Sequence, residues 1–355
     1  MVELATKLWG SLDLPVSLTA RKVGKGTVYW GQDIYLKKDD EEEFYPSYVK
    51  TANLLKEIGL DEDFSVGGAP IRFTHRKTND RDIYFVANTS DSIISVDADF
   101  RVSGMTPELW HSETGERRSL PNFIDRGDKT TIPLQFEAHE SYFVVFGKDD
   151  KGFPSNGKNF QTFNDVKLVD GEWSVSFDPK RGGPENIIFE SLVDWKDHTE
   201  PGVKHYSGKA TYTKTFDVQA EIKPKDNYFI ELGPTYEMAR VTLNGEDLGT
   251  VWTSPWRVPT KTALKSKANI LKVEVANSWE NRLIGDTLAE DKDVRTLKWS
   301  SGLLEGKEYK AGRYTFTTYL KAASDFGDIK LEPPKLQPSG LIGPVKIVKV
   351  DESNQ

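Results

Sequence analysis

The sequence predicts a mostly β protein: an antiparallel β-sandwich followed by a jelly roll, with a short α/β segment at the N-terminus. Three observations predict it. From about residue 70 onward, short apolar or alternating runs recur with turn residues between them. The step Asn244-Gly245 separates two such runs, and its residues suit the φ > 0 positions of a tight hairpin turn. No regular strand–helix alternation occurs, which argues against a (β/α)8 barrel.

Residues 1–66 read as the end of an α/β domain. Gly24-Lys25-Gly26 is a turn, and Thr27-Val28-Tyr29-Trp30 is a β run after it. An acidic stretch, Asp39 to Glu43, follows. Tyr48, Ala52, Leu55, Ile58 and Leu60 then fall at helical spacing. Such a piece cannot bury its own apolar faces and needs a neighbour.

Residues 67–148 predict the sandwich. Ile83 to Val86, Ile93 to Val102, Leu109 to His111 and Tyr142 to Phe146 are strand-like. Thr130, Ile132, Leu134 and Phe136 alternate as one face of a strand should. Residues 149–159 form a polar, turn-rich linker.

Residues 160–355 predict the jelly roll. Ala210, Tyr212, Phe216 and Val218 share one face of a strand, and Thr211, Thr213 and Thr215 share the other. Tyr228–Leu232, Ala239–Leu243, Leu248–Trp252, Ile270–Val275, Tyr314–Tyr319 and Val345–Val350 are further strands.

Composition excludes several function classes. The 355 residues carry a net charge of −8, so the basic stripe needed for nucleic acid is missing. With no cysteine, disulfides, thiolate nucleophiles and cysteine-ligated metals are excluded. No apolar run reaches the ~20 residues of a membrane span. The segment Met1 to Lys7 shows no signal peptide, so the chain is cytoplasmic or its natural beginning lies elsewhere.

Catalytic motifs are sparse. No nucleophile elbow, phosphate loop or dinucleotide fingerprint is present. The five histidines are scattered without metal-ligand spacing. No cofactor is required; a structural calcium could draw on Asp178 or Glu185. Glycoside hydrolysis needs two carboxyl groups roughly 5–10 Å apart. Glu190, Asp194, Glu280 and Asp286 are the candidates, because they lie near aromatic residues.

The aromatic residues carry more information. Trp195, His205, Tyr206, Trp252, Trp256, Trp279 and Trp299 fall at predicted loops or strand ends of the jelly roll. Indole faces stack on sugar C–H faces, and adjacent Asn or Arg groups hydrogen-bond hydroxyls. The candidate sugar contacts are Trp195, His205, Tyr206, Trp252, Trp256, Arg257, Trp279, Asn281 and Arg282. The competing reading is that each ring closes the end of the core or packs on a neighbouring domain.

Several segments resemble the C-terminal region of the α-L-rhamnosidase-like glycoside hydrolases, family 106. They include Ile83–Asn88, Pro107–Trp110, Trp173–Phe177 with Gly182-Gly183-Pro184, and Tyr206–Tyr212. Asn277 with Asn281–Asp286, and Pro338–Val345, complete the series. Val241–Gly245 with Leu248-Gly249 and Trp252 is also similar to the sugar-binding β domains of family 2 enzymes. The resemblance implies a galactose-binding-like jelly roll behind a catalytic barrel that this chain lacks, so it assigns no catalytic residue. It further implies a carbohydrate partner, a rhamnose-containing plant-type polysaccharide, and an extracellular or periplasmic parent protein.

Three functions compete. One is a non-catalytic, carbohydrate-binding accessory region of a glycoside hydrolase. Another is an autonomous hydrolase using the jelly-roll acids. The last is a structural or protein-interaction module. Exposure of Trp252, Trp256 and Trp279 separates these readings.

Overall fold

The structure is a computed structural model that describes residues 2–38, 41–148, 157–223, 226–288, 294–298, 305–309, 314–316 and 335–351. Most of the linker expected at 149–159, and Trp299, lie outside the described residues. The fold class is as expected: mostly β, built from antiparallel sheets, with no barrel among the described residues. The chain divides into two compact units.

The first unit comprises residues 1–67, 98–104 and 124–132. Its helix Val2–Trp9 leads to a hairpin of Thr19–Val23 with Gly26–Trp30. The rings of Trp9 and Trp30 stack 5.6 Å apart. The expected helix spans Tyr48–Glu57, and the Ser47 hydroxyl accepts from the Lys50 amide as its N-cap. Neither helix buries a single residue, in keeping with a segment too small to enclose its own apolar faces.

The second unit comprises residues 68–97, 105–123 and 133–355. A five-stranded sheet runs in the order Arg117–Ser119, Thr106–Trp110, Ser141–Gly147, Arg81–Asn88, Ile71–Lys77. Its alternation is regular: Tyr84, Val86, Val144 and Phe146 point inward and are fully buried. In the first unit, Ile124 and Asp125 pair with Thr131 and Thr130, and Phe64 and Ser65 pair with Phe100 and Asp99.

The jelly roll forms two further sheets within the second unit. One has six strands, ordered Ile187–Phe189, Trp173–Phe177, Lys209–Phe216, Asn269–Ala276, Met238–Leu243, Glu246–Val251. The other has four, ordered Phe163–Leu168, Lys346–Val350, Tyr228–Glu231, Arg257–Pro259. Val175, Tyr212 and Val273 of the first sheet share one core with Ile230, Val258 and Ile347 of the second. The Asn244-Gly245 hairpin forms as the sequence requires, with φ of 52° and 89°.

Register fixes the ends of the six-stranded sheet. Phe177 pairs with Ala210, Lys209 with Ala276, Met238 with Ala276, and Ala239 with Val251. One rim therefore launches four segments side by side: Asp178–Gly183, Tyr206–Gly208, Asn277–Arg282 and Trp252–Trp256.

Candidate functional site: an aromatic rim of the jelly roll

Two indoles stand out from that rim. Trp252 is 60% exposed and Trp279 57% exposed. Trp252 continues the strand alternation one step past the half-buried Val251, which turns it to the outer face of the sheet. Met238, paired with Ala276 at the same end, is also exposed. The guanidinium carbon of Arg181 sits 5.4 Å from the Trp279 ring centroid, a cation–π contact. Lys209 reaches Glu274 at 2.9 Å on the same outer face. The rim thus offers flat apolar surface beside polar and charged groups, the combination that suits a sugar ring.

A buried polar network holds these groups in place. Asn277 accepts from the Gly208 amide at 3.0 Å and donates to the Tyr206 carbonyl at 2.8 Å. The Ser207 hydroxyl donates to the Ser278 carbonyl at 2.8 Å. Asn281 donates to the Gln337 carbonyl and the Ser339 hydroxyl, and accepts from the Gln337 amide. Arg282 donates to the Arg181 carbonyl at 2.9 Å. The loops bearing Arg181 and Trp279 are tied to their neighbours by buried or half-buried side chains, so this part of the rim is pre-organised.

The structure removes several predicted residues from the candidate surface. Trp195 is fully buried, and its indole N–H donates to the Tyr212 hydroxyl inside the core. Gly340, at φ +93°, passes so close that a Cβ there would overlap the Trp195 ring. Tyr206 is 1% exposed, and its hydroxyl donates to the Lys209 carbonyl while accepting from the Asp178 amide. Burial holds the Tyr206 and Tyr212 hydroxyls above the ordinary phenol range, as expected for core phenols. Neither Trp195 nor Tyr206 has a face to offer a sugar.

Asn281 and Arg282 are likewise corrected from contact residues to buried supports. His205 is half-buried under the helix Glu280–Leu288, where Gly285 leaves no room for a Cβ against the imidazole. Trp256 packs on the core. Arg257 turns away into an ion pair with Glu231 at 3.0 Å and lies 4.0 Å over the Phe163 ring. Of the predicted sugar contacts, Trp252 and Trp279 present exposed rings.

Asp194 is the N-cap of the short turn Trp195–Asp197; it accepts from the Lys196 and Ser339 amides and pairs with the Lys196 ammonium. That hydrogen bond holds the lysine above its ordinary range. An acid so committed is unsuited to general acid or base work, which corrects its candidacy. Glu190 lies on an exposed bend, Glu280 opens the helix Glu280–Leu288 half-buried, and Asp286 lies further along that helix. Asp178 caps the turn Pro179–Arg181, and Glu185 is exposed on a bend. Among the described residues, no group of three or more His, Asp or Glu side chains could hold a metal.

Sequence reasoning missed Arg181 and Met238. Met238 carried a usable signal, because it shares strand parity with Arg240, whose charge belongs in solvent. Arg181 carried none, because its approach to Trp279 joins segments nearly a hundred residues apart.

Comparison with known proteins fits this architecture. Residues 1–123 match the family model described as alpha-L-rhamnosidase, glycoside hydrolase family 106. Residues 193–319 match the glycosyl hydrolase 2 galactose-binding domain-like model. A solved rhamnosidase from Novosphingobium sp. is 30% identical over 98% of this chain with a TM-score of 0.66, and the chain covers 28% of that protein. A putative beta-glucuronidase from Formosa agariphila is 32% identical over 192 residues, covering 52% of this chain and 16% of the relative. The chain thus spans less than a third of either protein's length. It is related to the glycoside hydrolases, and the resemblance its motifs carry, to the non-barrel region of family 106 with a family 2-like galactose-binding domain, holds.

Proposed function

We propose that this chain is the non-catalytic, carbohydrate-contacting accessory region of a rhamnosidase-like glycoside hydrolase. One observation carries the reading: Trp252 and Trp279 are exposed at the same end of the six-stranded sheet in the domain that matches a galactose-binding-like model. The mechanism is stacking plus hydrogen bonding, with no bond broken. The indoles take the apolar face of a sugar ring, and Arg181, Lys209 and backbone groups of the rim meet its hydroxyls. The parent protein would act outside the cytoplasm on a rhamnose-containing polysaccharide, with chemistry supplied by a barrel. The commitment of Asp194 to structural bonds supports an accessory role over an autonomous hydrolase.

Calorimetric titration with rhamnose-bearing oligosaccharides, run beside a turnover assay on aryl rhamnosides, tests this. The expected result is saturable binding, weakened about 10-fold or more by Trp252→Ala or Trp279→Ala, with no turnover. Turnover that disappears in Glu280→Gln would establish the hydrolase reading instead. Absence of any sugar binding would leave the rim as a protein-packing surface.

A further inference from the structure

The five-stranded sheet of the second unit has an outer face as well as an inner one. Tyr84, Val86, Val144 and Phe146 are fully buried on the inside, so the residues alternating with them face out. Register draws one row across all five strands. Arg117 pairs with Trp110, Trp110 with Phe143, Phe143 with Phe85, and Phe85 with Thr74. Trp110, Phe143 and Phe85 are half-buried, and the two phenyl rings lie 5.1 Å apart. The result is a shallow aromatic strip on an open sheet surface.

Arginines frame that strip. The guanidinium carbon of Arg117 lies 4.0 Å from the Trp110 ring centroid, and that of Arg81 lies 5.2 Å from it. On the edge strand Ile71–Lys77, Arg72 pairs with Ala87 and Arg76 with Ile83, so the two flank Thr74 opposite Phe85. Arg72, Arg76 and Arg117 are exposed, and among the described residues none of the three forms an ion pair. Arg81 has only the neighbouring Asp80 carboxylate, at 3.8 Å. Glu108 is the one acid in these rows, and it accepts from the Trp110 indole N–H at 2.7 Å. A chain of net charge −8 thus gathers four guanidiniums against one carboxylate on a single aromatic face. A guanidinium stacked on a ring spends its flat face and keeps its N–H edge for an anion.

We infer that this face is a second glycan-binding surface, independent of the jelly-roll rim, and that its ligand is a polysaccharide carrying uronic acid carboxylates. Pyranose C–H faces lie on the Phe85, Phe143 and Trp110 rings. Ring carboxylates take the arginine forks in bidentate pairs. Size favours a polymer of sugars over a protein. Four strand spacings by six residue steps give about 19 Å by about 20 Å, or roughly 400 Å². A stable protein interface needs about 800 Å² from each partner. A polysaccharide has no such threshold, because each sugar unit along the strip brings its own stacking face and its own charge.

Calorimetric titration of the full chain with alginate oligosaccharides, which carry a carboxylate on every sugar, tests this. The expected result is saturable binding that weakens in high salt, where exposed charges are screened. The double variant Arg72→Gln with Arg76→Gln should weaken it about 10-fold or more while keeping the parent Tm, because both side chains are exposed. Trp252→Ala and Trp279→Ala should leave alginate binding unchanged, which separates this surface from the rim. Polyglutamate, dextran sulfate and oligothymidylate should each bind more weakly than alginate. No binding of alginate, or binding that the arginine variant leaves intact, would overturn the inference. So would loss of alginate binding in the rim variants. Equal affinity for polyglutamate would mark an acidic-protein surface instead, and equal affinity for dextran sulfate or oligothymidylate would mark attraction for any polyanion; either overturns it.

Discussion

Trp195 and Trp279 began as equivalent candidates, yet they do opposite things. Trp195 sits at a short turn and points inward, where Phe177, Tyr206 and Tyr212 surround it. Trp279 leaves a strand end and points outward beside Arg181. The same buried network serves both: Asp194 and Asn281 meet at Ser339, tying the turn that buries one indole to the helix start that presents the other. Loop position in sequence therefore says little about exposure. What decides it is whether the neighbouring strands leave a cavity of indole size.

Breaking the buried member should have the largest effect. Trp195→Ala would leave a large cavity and take the indole donor from the Tyr212 hydroxyl, which keeps only the Leu341 amide, costing about 3–5 kcal/mol and visible as a large drop in Tm. Next comes pH. The Glu140 carboxyl, normally 4.5 and pushed up by burial to about 7 when folded, holds its proton better in the native state. Its contribution is complete below pH 4.5 and lost as pH rises through about 7. It amounts to about 3 kcal/mol, so denaturant midpoints should fall over that window, and Glu140→Gln should flatten the decline. Asn281→Ala removes three hydrogen bonds to Gln337 and Ser339, at a cost of about 1–3 kcal/mol. It should also weaken sugar binding, because the loop bearing Trp279 loses its anchor. The smallest stability change belongs to Trp252→Ala and Trp279→Ala. Each should lie within about 0.5 kcal/mol of the parent in denaturant unfolding while weakening oligosaccharide binding.

Much of the fold was legible. Alternation in Lys209–Phe216 located both faces of that strand, and Asn244-Gly245 fixed a hairpin and hence the register that aligns the rim. The site was legible only in part. Asn281 and Arg282 looked like hydroxyl-binding groups because a single sequence gives the residue type but not its burial. Their partners Gln337 and Arg181 lie 56 and 101 residues away, beyond any local pattern. Gly340 and Gly285 were the available hints. Each marks a close approach by a ring, although neither says which ring.

Indole N–H resonances of the full chain, followed by NMR during titration with a rhamnose-bearing oligosaccharide, test the central claim most directly. The account predicts progressive shifts for Trp252 and Trp279, assigned through Trp→Phe variants, and stationary signals for Trp173 and Trp195. Shifts confined to the two core indoles, or none at saturating sugar, would contradict it.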